Sequence, residues 1–271
     1  MSASKQTGRE PGYQRSALSR FGERSEPPGS AAPVGVGSPP LDLITPTSYD
    51  SDAKVYRYPS GAIEACFTHR TVTPVGAVFR MGKGERSPEA KEARGKEIAS
   101  RAASQFRRAA MAADMRYLLT CTYRENLTDY PTSKSHVQAL MRSLRTDYSG
   151  LRYVGAPELQ KRGAWHWHVL TDTRLDAREV RAHWRRIVGD GNIDLVHWDD
   201  ALKGARYAAK YVRKGFGELR VPGARYLRSR NIEVHSERME QTLAFELLGE
   251  AGWSGHVVPL ETGGTWAASW A

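Results

Sequence analysis

The stretch that decides the fold of this chain is a run of alternating side chains, Trp165-His166-Trp167-His168-Val169-Leu170. Successive side chains on a β-strand point to opposite faces of the sheet. The tryptophans and Val169 therefore share one face, which suits burial in a core, and the imidazoles share the other face. This alternation predicts a strand over residues 165–171 that presents both histidines at one surface.

A second strand is predicted immediately before the histidine strand. It covers residues 151–158, and residues 160–163 between the strands predict a tight turn in which a glycine supplies the positive φ angle. A hairpin centred near Arg162 places Glu158 directly opposite His166 on the same face. Two imidazoles and a carboxylate then converge, and this set suits a divalent ion that keeps open positions for water or phosphate oxygen. The alternative is a pair of solvated histidines without a metal.

The second informative stretch is a predicted helix that begins at Asp199 and ends at Gly215. Either Asp199 or Asp200 is a suitable N-cap, and a basic last turn followed by glycine is typical of a helix end. Tyr207 and Tyr211 are four residues apart, so they stack on one face of this helix. The sequence therefore predicts two neighbouring phenol groups on a rigid element.

Two lysines, Lys210 and Lys214, fall on nearly the same helix face as the tyrosines. A phenol has an ordinary pKa of about 10 and needs help to ionise. Neighbouring ammonium groups favour the phenolate and also attract phosphate. The alternatives are a tyrosine stripe that packs the helix onto a sheet and a plain basic helix that binds backbone phosphates. Because lysine is almost never buried unpaired, full burial of this face is disfavoured.

Residues 114–216 predict an α+β core. Its strands are expected over residues 115–123, 151–158, 165–171 and 192–198, and its helices over 133–148, 176–188 and 199–215. In chain order this is β-α-β-β-α-β-α. Such an order is typical of a ferredoxin-like fold, in which an antiparallel sheet carries helices on one face and leaves the other face open to ligand.

The segments on either side of this core differ from it in composition. Residues 1–52 are rich in Gly, Pro and Ser and predict a disordered tail. Residues 53–113 predict an accessory β-hairpin followed by a long helix, and residues 217–271 predict a basic C-terminal extension. Within the extension, residues 237–248 predict an amphipathic helix. The expected inward side chains of that helix are Met239, Leu243, Leu247 and Leu248.

Charge and composition narrow the class of partner. The chain of 271 residues carries a formal net charge of +10, which suits a polyanion. No apolar run approaches the roughly 20 residues that cross a bilayer, and the polar N terminus lacks a signal-peptide core, so we expect a cytoplasmic protein without a membrane partner. Cys66 and Cys121 form no Cys-x-x-Cys pair, which disfavours structural zinc.

Several further basic residues are candidates for nucleic-acid contacts. Beyond residue 217, arginines interleaved with Tyr226 suit backbone contacts and base stacking on a single strand, although an ordinary basic connector has the same composition. The candidate phosphate contacts in the helix and the extension are Arg206, Arg213, Lys214, Arg225 and Arg228.

These motifs resemble those of the HUH endonucleases, which are named for two histidines around a hydrophobic residue. The closer resemblance is to the two-tyrosine rolling-circle replication initiators of single-stranded DNA phages and plasmids. It covers residues 114–216 and follows the order of three motifs in that family. The motifs are the strand at 118–123, the set Glu158, His166 and His168, and the helix pattern Tyr207-x-x-Lys210-Tyr211-x-x-Lys214.

The resemblance implies an HUH fold and a metal-dependent endonuclease and strand transferase that acts on single-stranded DNA at a replication origin. It implies that the Glu-His-His set holds Mg²⁺ or Mn²⁺ and that Tyr207 or Tyr211 forms a 5′-phosphotyrosine, with Lys210 assisting. The sequence has no Gly-x-x-x-x-Gly-Lys-Ser/Thr loop, so a separate host helicase and a host polymerase are the expected partners, in a bacterial cytoplasm. Two alternatives stay open: a single-tyrosine HUH transposase, and a non-catalytic single-stranded nucleic-acid-binding protein.

Overall fold

The computed structural model describes part of the chain, and all of that part lies in one compact unit, Tyr49–Ala271. The described residues are 52–68, 87–214, 225–253, 258–259 and 264–269. The predicted tail over residues 1–52 lies outside them except for Asp52. Within the described residues, no helix combines the length and the apolar character that a bilayer crossing requires.

The described residues form a mixed α+β structure with antiparallel sheets and five helices. In chain order the elements are β1 (Asp52–Arg57), β2 (Ile63–Thr68), α1 (Pro88–Ala112), β3 (Tyr117–Tyr123), α2 (Tyr130–Asp147), β4 (Tyr153–Leu159), β5 (Trp165–Thr171), α3 (Ala177–Val188), β6 (Gly191–His197), α4 (Ala201–Lys214), β7 (Leu227–Arg228), β8 (Glu237–Glu240), α5 (Gln241–Glu250), β9 (Val258–Pro259) and β10 (Gly264–Ser269).

The central sheet has the strand order β6-β3-β5-β4-β7, and every neighbouring pair is antiparallel. The strands and helices of the core lie within a few residues of the predicted ranges. Aspartates begin several helices: Asp129, Asp176 and Asp200 each accept a hydrogen bond from a backbone amide in the first turn. Of the two N-cap candidates for α4, the structure therefore selects Asp200.

Helices cover both faces of the central sheet. On the face of Trp165 and Trp167, the side chains pack with α2 and α3 in one apolar core. On the face of the histidines, α1 and α4 pack through small residues such as Ala205 and Ala208. The expectation of one face open to ligand is therefore wrong where α4 lies, because the alanine-rich side of α4 allows it to pack closely on β4 and β5.

A second sheet has the order β8-β1-β2-β10-β9 and joins the hairpin to strands from the C-terminal segment. Glu64 of β2 is fully buried and accepts hydrogen bonds from Arg107 and Arg108 of α1 and from Tyr58. Burial alone would raise the pKa of Glu64, but the two guanidinium charges outweigh it and lower the pKa to about 2. This ion cluster anchors α1 to the hairpin sheet.

The C-terminal helix is shorter than predicted from its pattern. Residues 237–240 form β8, which pairs with β1, and α5 begins at Gln241. Consequently Leu248 is fully buried as expected, whereas Leu243 is 52% exposed. The strand pairing of residues 237–240 shifts the start of the helix, which changes the residues that face inward.

Candidate active site

The β4–β5 hairpin brings the predicted carboxylate to the histidines. Glu158 pairs directly with His166 across the two strands, as the turn position predicts. His168, two residues further along β5, lies with its Nε2 atom 2.9 Å from Glu158 Oε2. Because a carboxylate only accepts, Nε2 of His168 carries the proton. Its Nδ1 atom then accepts from the hydroxyl of Thr120 on β3, at 3.3 Å.

His166 is held by a side-chain chain that starts at the turn. Arg162 Nε donates to Gln160 Oε1 at 3.0 Å, and Gln160 Nε2 lies 3.0 Å from His166 Nδ1. Since a guanidinium only donates, the amide nitrogen faces the imidazole, and the neutral ring carries its proton on Nε2. That Nε2 atom is buried and has no hydrogen-bond partner. Burial, with the nearby charges of His168 and Arg162, lowers the pKa of His166 to about 4.

The carboxylate of Glu158 is shared between the strand and the helix. Its second oxygen, Oε1, accepts from Lys214 Nζ of α4 at 3.1 Å. Burial would raise the pKa of this carboxyl, but hydrogen bonds from His168 and Lys214 outweigh it, so the pKa is lowered. Glu158 is therefore an ionised group that links β5 to the end of the tyrosine helix.

Helix α4 places both tyrosines against the histidine strand. The ring of Tyr211 stacks on His168 with centroids 3.8 Å apart and planes at 10°. The ring of Tyr207 lies 6.4 Å from His168, edge to face. Tyr211 donates its hydroxyl hydrogen to the oxygen of Tyr207 at 2.8 Å. The two phenols and the imidazole therefore form one cluster.

The two phenol groups differ in exposure and in ionisation. Tyr211 is only 7% exposed, whereas Tyr207 is half-buried. Burial, the hydrogen bond to Tyr207 and the charge of Glu158 raise the pKa of Tyr211 far above its ordinary value. The expectation that lysines favour its phenolate is not met, because the ammonium of Lys210 lies over the aromatic faces, 3.8 Å from the Tyr207 centroid and 4.7 Å from that of Tyr211.

The predicted open surface of imidazoles is not observed. His166 is 7% exposed and His168 is 5% exposed. The physical reason is the stacking of Tyr211 on His168, which encloses the imidazole between a polar network and an aromatic ring. Both histidines nevertheless contact polar partners, so this is a closed polar site and not an apolar core.

The donor set is chemically suited to a divalent ion, although its protons must first rearrange. No three His, Cys, Asp or Glu side chains among the described residues already form a metal-holding group. The buried, unpartnered Nε2 of His166 and the ionised Glu158 opposite it are suitable ligands. Binding requires loss of the Nε2 proton of His168, and on His166 a shift of the proton to Nδ1, which a turned Gln160 amide can accept.

The remaining predicted residues lie at two places. Arg206, Lys210, Arg213 and Lys214 are exposed along α4. Arg225 and Arg228 lie at the edge of the central sheet beside β7, which pairs with Val154 and Gly155 at the opposite end of β4 from Glu158.

Sequence reasoning missed Gln160, Arg162 and the contribution of Thr120. A signal for Gln160 was present, because it follows Glu158 by two residues and therefore shares its face. Trp198, whose ring lies 5.5 Å from that of Tyr207, was also missed. Gly204 allows this approach: a Cβ atom there would lie 3.2 Å from Trp198.

Comparison with known proteins adds one informative match. Residues 116–216 match the family model of the replication-associated protein ORF2. This segment runs from β3 to the end of α4 and so includes every residue of the cluster described above. The match to this replication-associated family thus associates the candidate site with replication.

Two further comparisons add little. A crystal structure of the hypothetical protein ORF119 from Sulfolobus islandicus rod-shaped virus 1 shares 13% sequence identity, and the alignment covers 40% of this chain and 91% of that chain. Its TM-score of 0.30 is too low to carry an argument. No curated protein matches the chain.

Proposed function

We propose that this protein is a rolling-circle replication initiator that nicks and rejoins single-stranded DNA at an origin through a 5′-phosphotyrosine intermediate. The similarity to the replication-associated protein ORF2 family supports the replication role. The observation that carries the proposal is the direct contact between the two motifs, with the Tyr211 ring 3.8 Å from that of His168. A nucleophile and an electrophile-binding group must lie this close to act on one phosphodiester.

The strand order supports an HUH fold of the ferredoxin-like type. The path β3-α2-β4-β5-α3-β6 gives the order β6-β3-β5-β4, in which the first and third strands of the unit are central. A helix, α4, then follows the last strand and returns to the sheet beside β4 and β5. In the proposal, this return is what delivers the tyrosines to the histidine strand.

The proposed reaction is a transesterification at phosphorus. A tyrosine Oη forms a bond to the phosphorus, the bond from phosphorus to the 3′ oxygen breaks, and the phenolic proton is replaced by one on the leaving 3′ oxygen. The exposed ammonium of Lys210, which lies beside both phenols, is positioned to supply that proton. The 3′-hydroxyl is then available to a host polymerase, and reversal of the same step rejoins the strand without ATP.

Tyr207 is the proposed first nucleophile. It is the more exposed of the two phenols, and Tyr211 donates a hydrogen bond to its oxygen. A donated hydrogen bond favours the charged form of the acceptor, so it assists ionisation of Tyr207. The buried Tyr211 would act later, after a change in its stacking on His168.

The proposed cofactor is Mg²⁺ or Mn²⁺, held by Glu158, His166 and His168. When bound there, such an ion would polarise a non-bridging phosphate oxygen and offset the charge that develops during attack. Lys214, which contacts Glu158 in this structure, would then be released to hold phosphate. Origin DNA, a separate host helicase and a host polymerase in a bacterial cytoplasm are the proposed partners.

The decisive test is covalent attachment of DNA. A panel of 5′- and 3′-labelled single-stranded oligonucleotides is incubated with protein and Mn²⁺ and resolved on a denaturing gel. The proposal predicts a protein-linked 5′ end and a free 3′-hydroxyl fragment, and it predicts that Tyr207→Phe combined with Tyr211→Phe removes the adduct but spares binding. Persistence of the adduct in that double variant would reject the tyrosine nucleophiles.

A further inference from the structure

A basic cleft lies outside the tyrosine cluster, between α1 and the segment that leads into β7. Its volume is about 490 Å³, and none of the residues that line it is acidic. Three of them are arginines: Arg101 on α1, and Arg225 and Arg228 on the edge segment. Three guanidinium groups around one concave surface, in a protein of net charge +10, create a site for an anion.

Part of this cleft is fixed in place before any ligand binds. Arg228 donates to the carbonyl oxygen of Ile232 at 2.6 Å, which holds its guanidinium at the rim. The ring of Tyr226 packs edge to face on Phe106 of α1, with centroids 5.5 Å apart. Tyr226 and the neighbouring side chains of Ile98 and Ala102 form an apolar wall beside the arginines. Charged and apolar surface therefore meet within one cleft.

This combination fits a nucleotide unit better than a simple anion. Phosphate oxygens accept the paired donors of guanidinium groups, and the base or sugar can lie against an aromatic or aliphatic wall. A duplex keeps its bases stacked inside, so only a single strand can present a base and a phosphate to a cleft of this kind together.

The cleft and the candidate active site lie along the same strand. Strand β7 pairs with Val154 and Gly155 of β4, and Glu158 lies three residues beyond Gly155. At roughly 3.3 Å per residue, this separation is about 10 Å along β4. Because single-strand-binding folds hold about 4–16 nucleotides, one bound strand is long enough to reach both places.

We infer that the cleft formed by Arg101, Arg225, Arg228 and Tyr226 is a second binding site for the same DNA strand, holding a nucleotide away from the cleaved linkage. The inference rests on the proposed function in so far as that function makes single-stranded DNA the ligand. The role of the cleft is to fix the strand, while the chemistry stays at the tyrosine cluster.

The test measures binding without cleavage. The Tyr207→Phe and Tyr211→Phe double variant, in EDTA, is titrated against a fluorescent oligonucleotide longer than about 16 nucleotides at several salt concentrations. Arg101→Ala together with Arg225→Ala is expected to weaken binding and to lower the slope of log affinity against log salt by about 0.7 for each lost phosphate contact. Arg94→Ala removes a charge from the exposed face of α1 outside the cleft and is the matched control.

The outcomes separate the two proposals. A reduced salt slope in the cleft variant, with the slope of Arg94→Ala unchanged and thermal unfolding of both variants as in the parent protein, supports the cleft. An unchanged slope in the cleft variant, or an equal reduction in Arg94→Ala, overturns it. Because the measurement needs neither metal nor a nucleophile, failure of the nicking proposal leaves this result interpretable, and failure of the cleft leaves nicking untouched.

Discussion

The ring of Tyr211 lies flat on the imidazole of His168, with centroids 3.8 Å apart and an interplanar angle of 10°. This stack joins the tyrosine helix to the histidine strand and places the phenol of Tyr207 beside them. It also closes the site, because it leaves His168 only 5% exposed. DNA entry at the metal ligands therefore requires Tyr211 to move off the imidazole, which makes its ring part of the access path.

The first prediction concerns the unequal phenols. Tyr207→Phe is expected to abolish the first covalent adduct. Tyr211→Phe keeps the stacking ring but loses the hydrogen bond to Tyr207, which for a charged acceptor is worth about 1.5–3 kcal/mol, so initial cleavage is expected to slow by roughly tenfold to a hundredfold. Single-turnover rates on labelled oligonucleotides give both values. Tyr130→Phe, on the other face of the sheet, is the control, and adduct formation at the normal rate by Tyr207→Phe would contradict the assignment.

The second prediction concerns the metal ligands. His168→Ala and Glu158→Gln are each expected to remove Mn²⁺-dependent cleavage and to abolish tight Mn²⁺ binding in isothermal titration. His183→Ala is the matched control, because His183 pairs with Asp147 on the outer helices away from the site. Cleavage by His168→Ala that equals that of the control would exclude this histidine as a ligand.

The third prediction concerns the residues that orient His166. Gln160 contacts Nδ1 of His166 and is itself held by Arg162, so it decides which ring nitrogen carries the proton. Gln160→Leu is expected to weaken Mn²⁺ affinity by about 10–100-fold, whereas Gln160→Glu, whose carboxylate accepts from Nδ1–H, is expected to retain it. Titration calorimetry and the electron paramagnetic resonance signal of Mn²⁺ both report this affinity. Equal affinity in the two variants would show that Gln160 has no orienting role.

The fourth prediction concerns stability and pH. Glu64 has a pKa near 2, below its ordinary value of 4.5, so its ionised form stabilises the fold above about pH 4.5, and this contribution is lost as the pH falls towards 2. Glu64→Gln leaves two buried guanidinium groups without their partner and is expected to lower the free energy of unfolding at pH 7 by about 3–5 kcal/mol.

Urea unfolding at pH 7 and at pH 3 measures this contribution. The difference between Glu64→Gln and the unmodified protein should be largest at pH 7 and smaller at pH 3, because part of the ionised-state contribution has been lost there. Glu237→Gln, which breaks a surface pair with Arg57, is the control and should cost at most about 1 kcal/mol. A difference that grows on acidification would contradict the assigned direction of the pKa shift.

Local pattern predicted much of the core. The turn glycine, Gly163, has a φ angle of 85°, and it fixes the register that pairs Glu158 with His166. Asp200 was one of two caps expected for α4. These features depend on residues close in sequence, where alternation, capping and turn preferences act directly.

Features that depend on distant residues were not predicted. The pairing of β1 with β8 joins residues about 180 positions apart, and no local pattern indicates it. The closed site had the same origin: helical spacing placed Tyr211 on a face, but only the packing of α4 on the sheet determines that its ring covers His168. Burial then decided the ionisation of the phenol against the lysines, whose ammonium effect had been expected to dominate.

The central claim is that the histidine strand and the tyrosine helix act together on one phosphodiester. Its most direct measurement is mass-spectrometric mapping of the peptide that carries a nucleotide after reaction with single-stranded DNA and Mn²⁺. The account predicts a 5′-linked nucleotide on Tyr207 or Tyr211, formed with Mn²⁺ and absent in EDTA. A nucleotide on another residue, or cleavage that leaves two free DNA ends and no attached peptide, would contradict it.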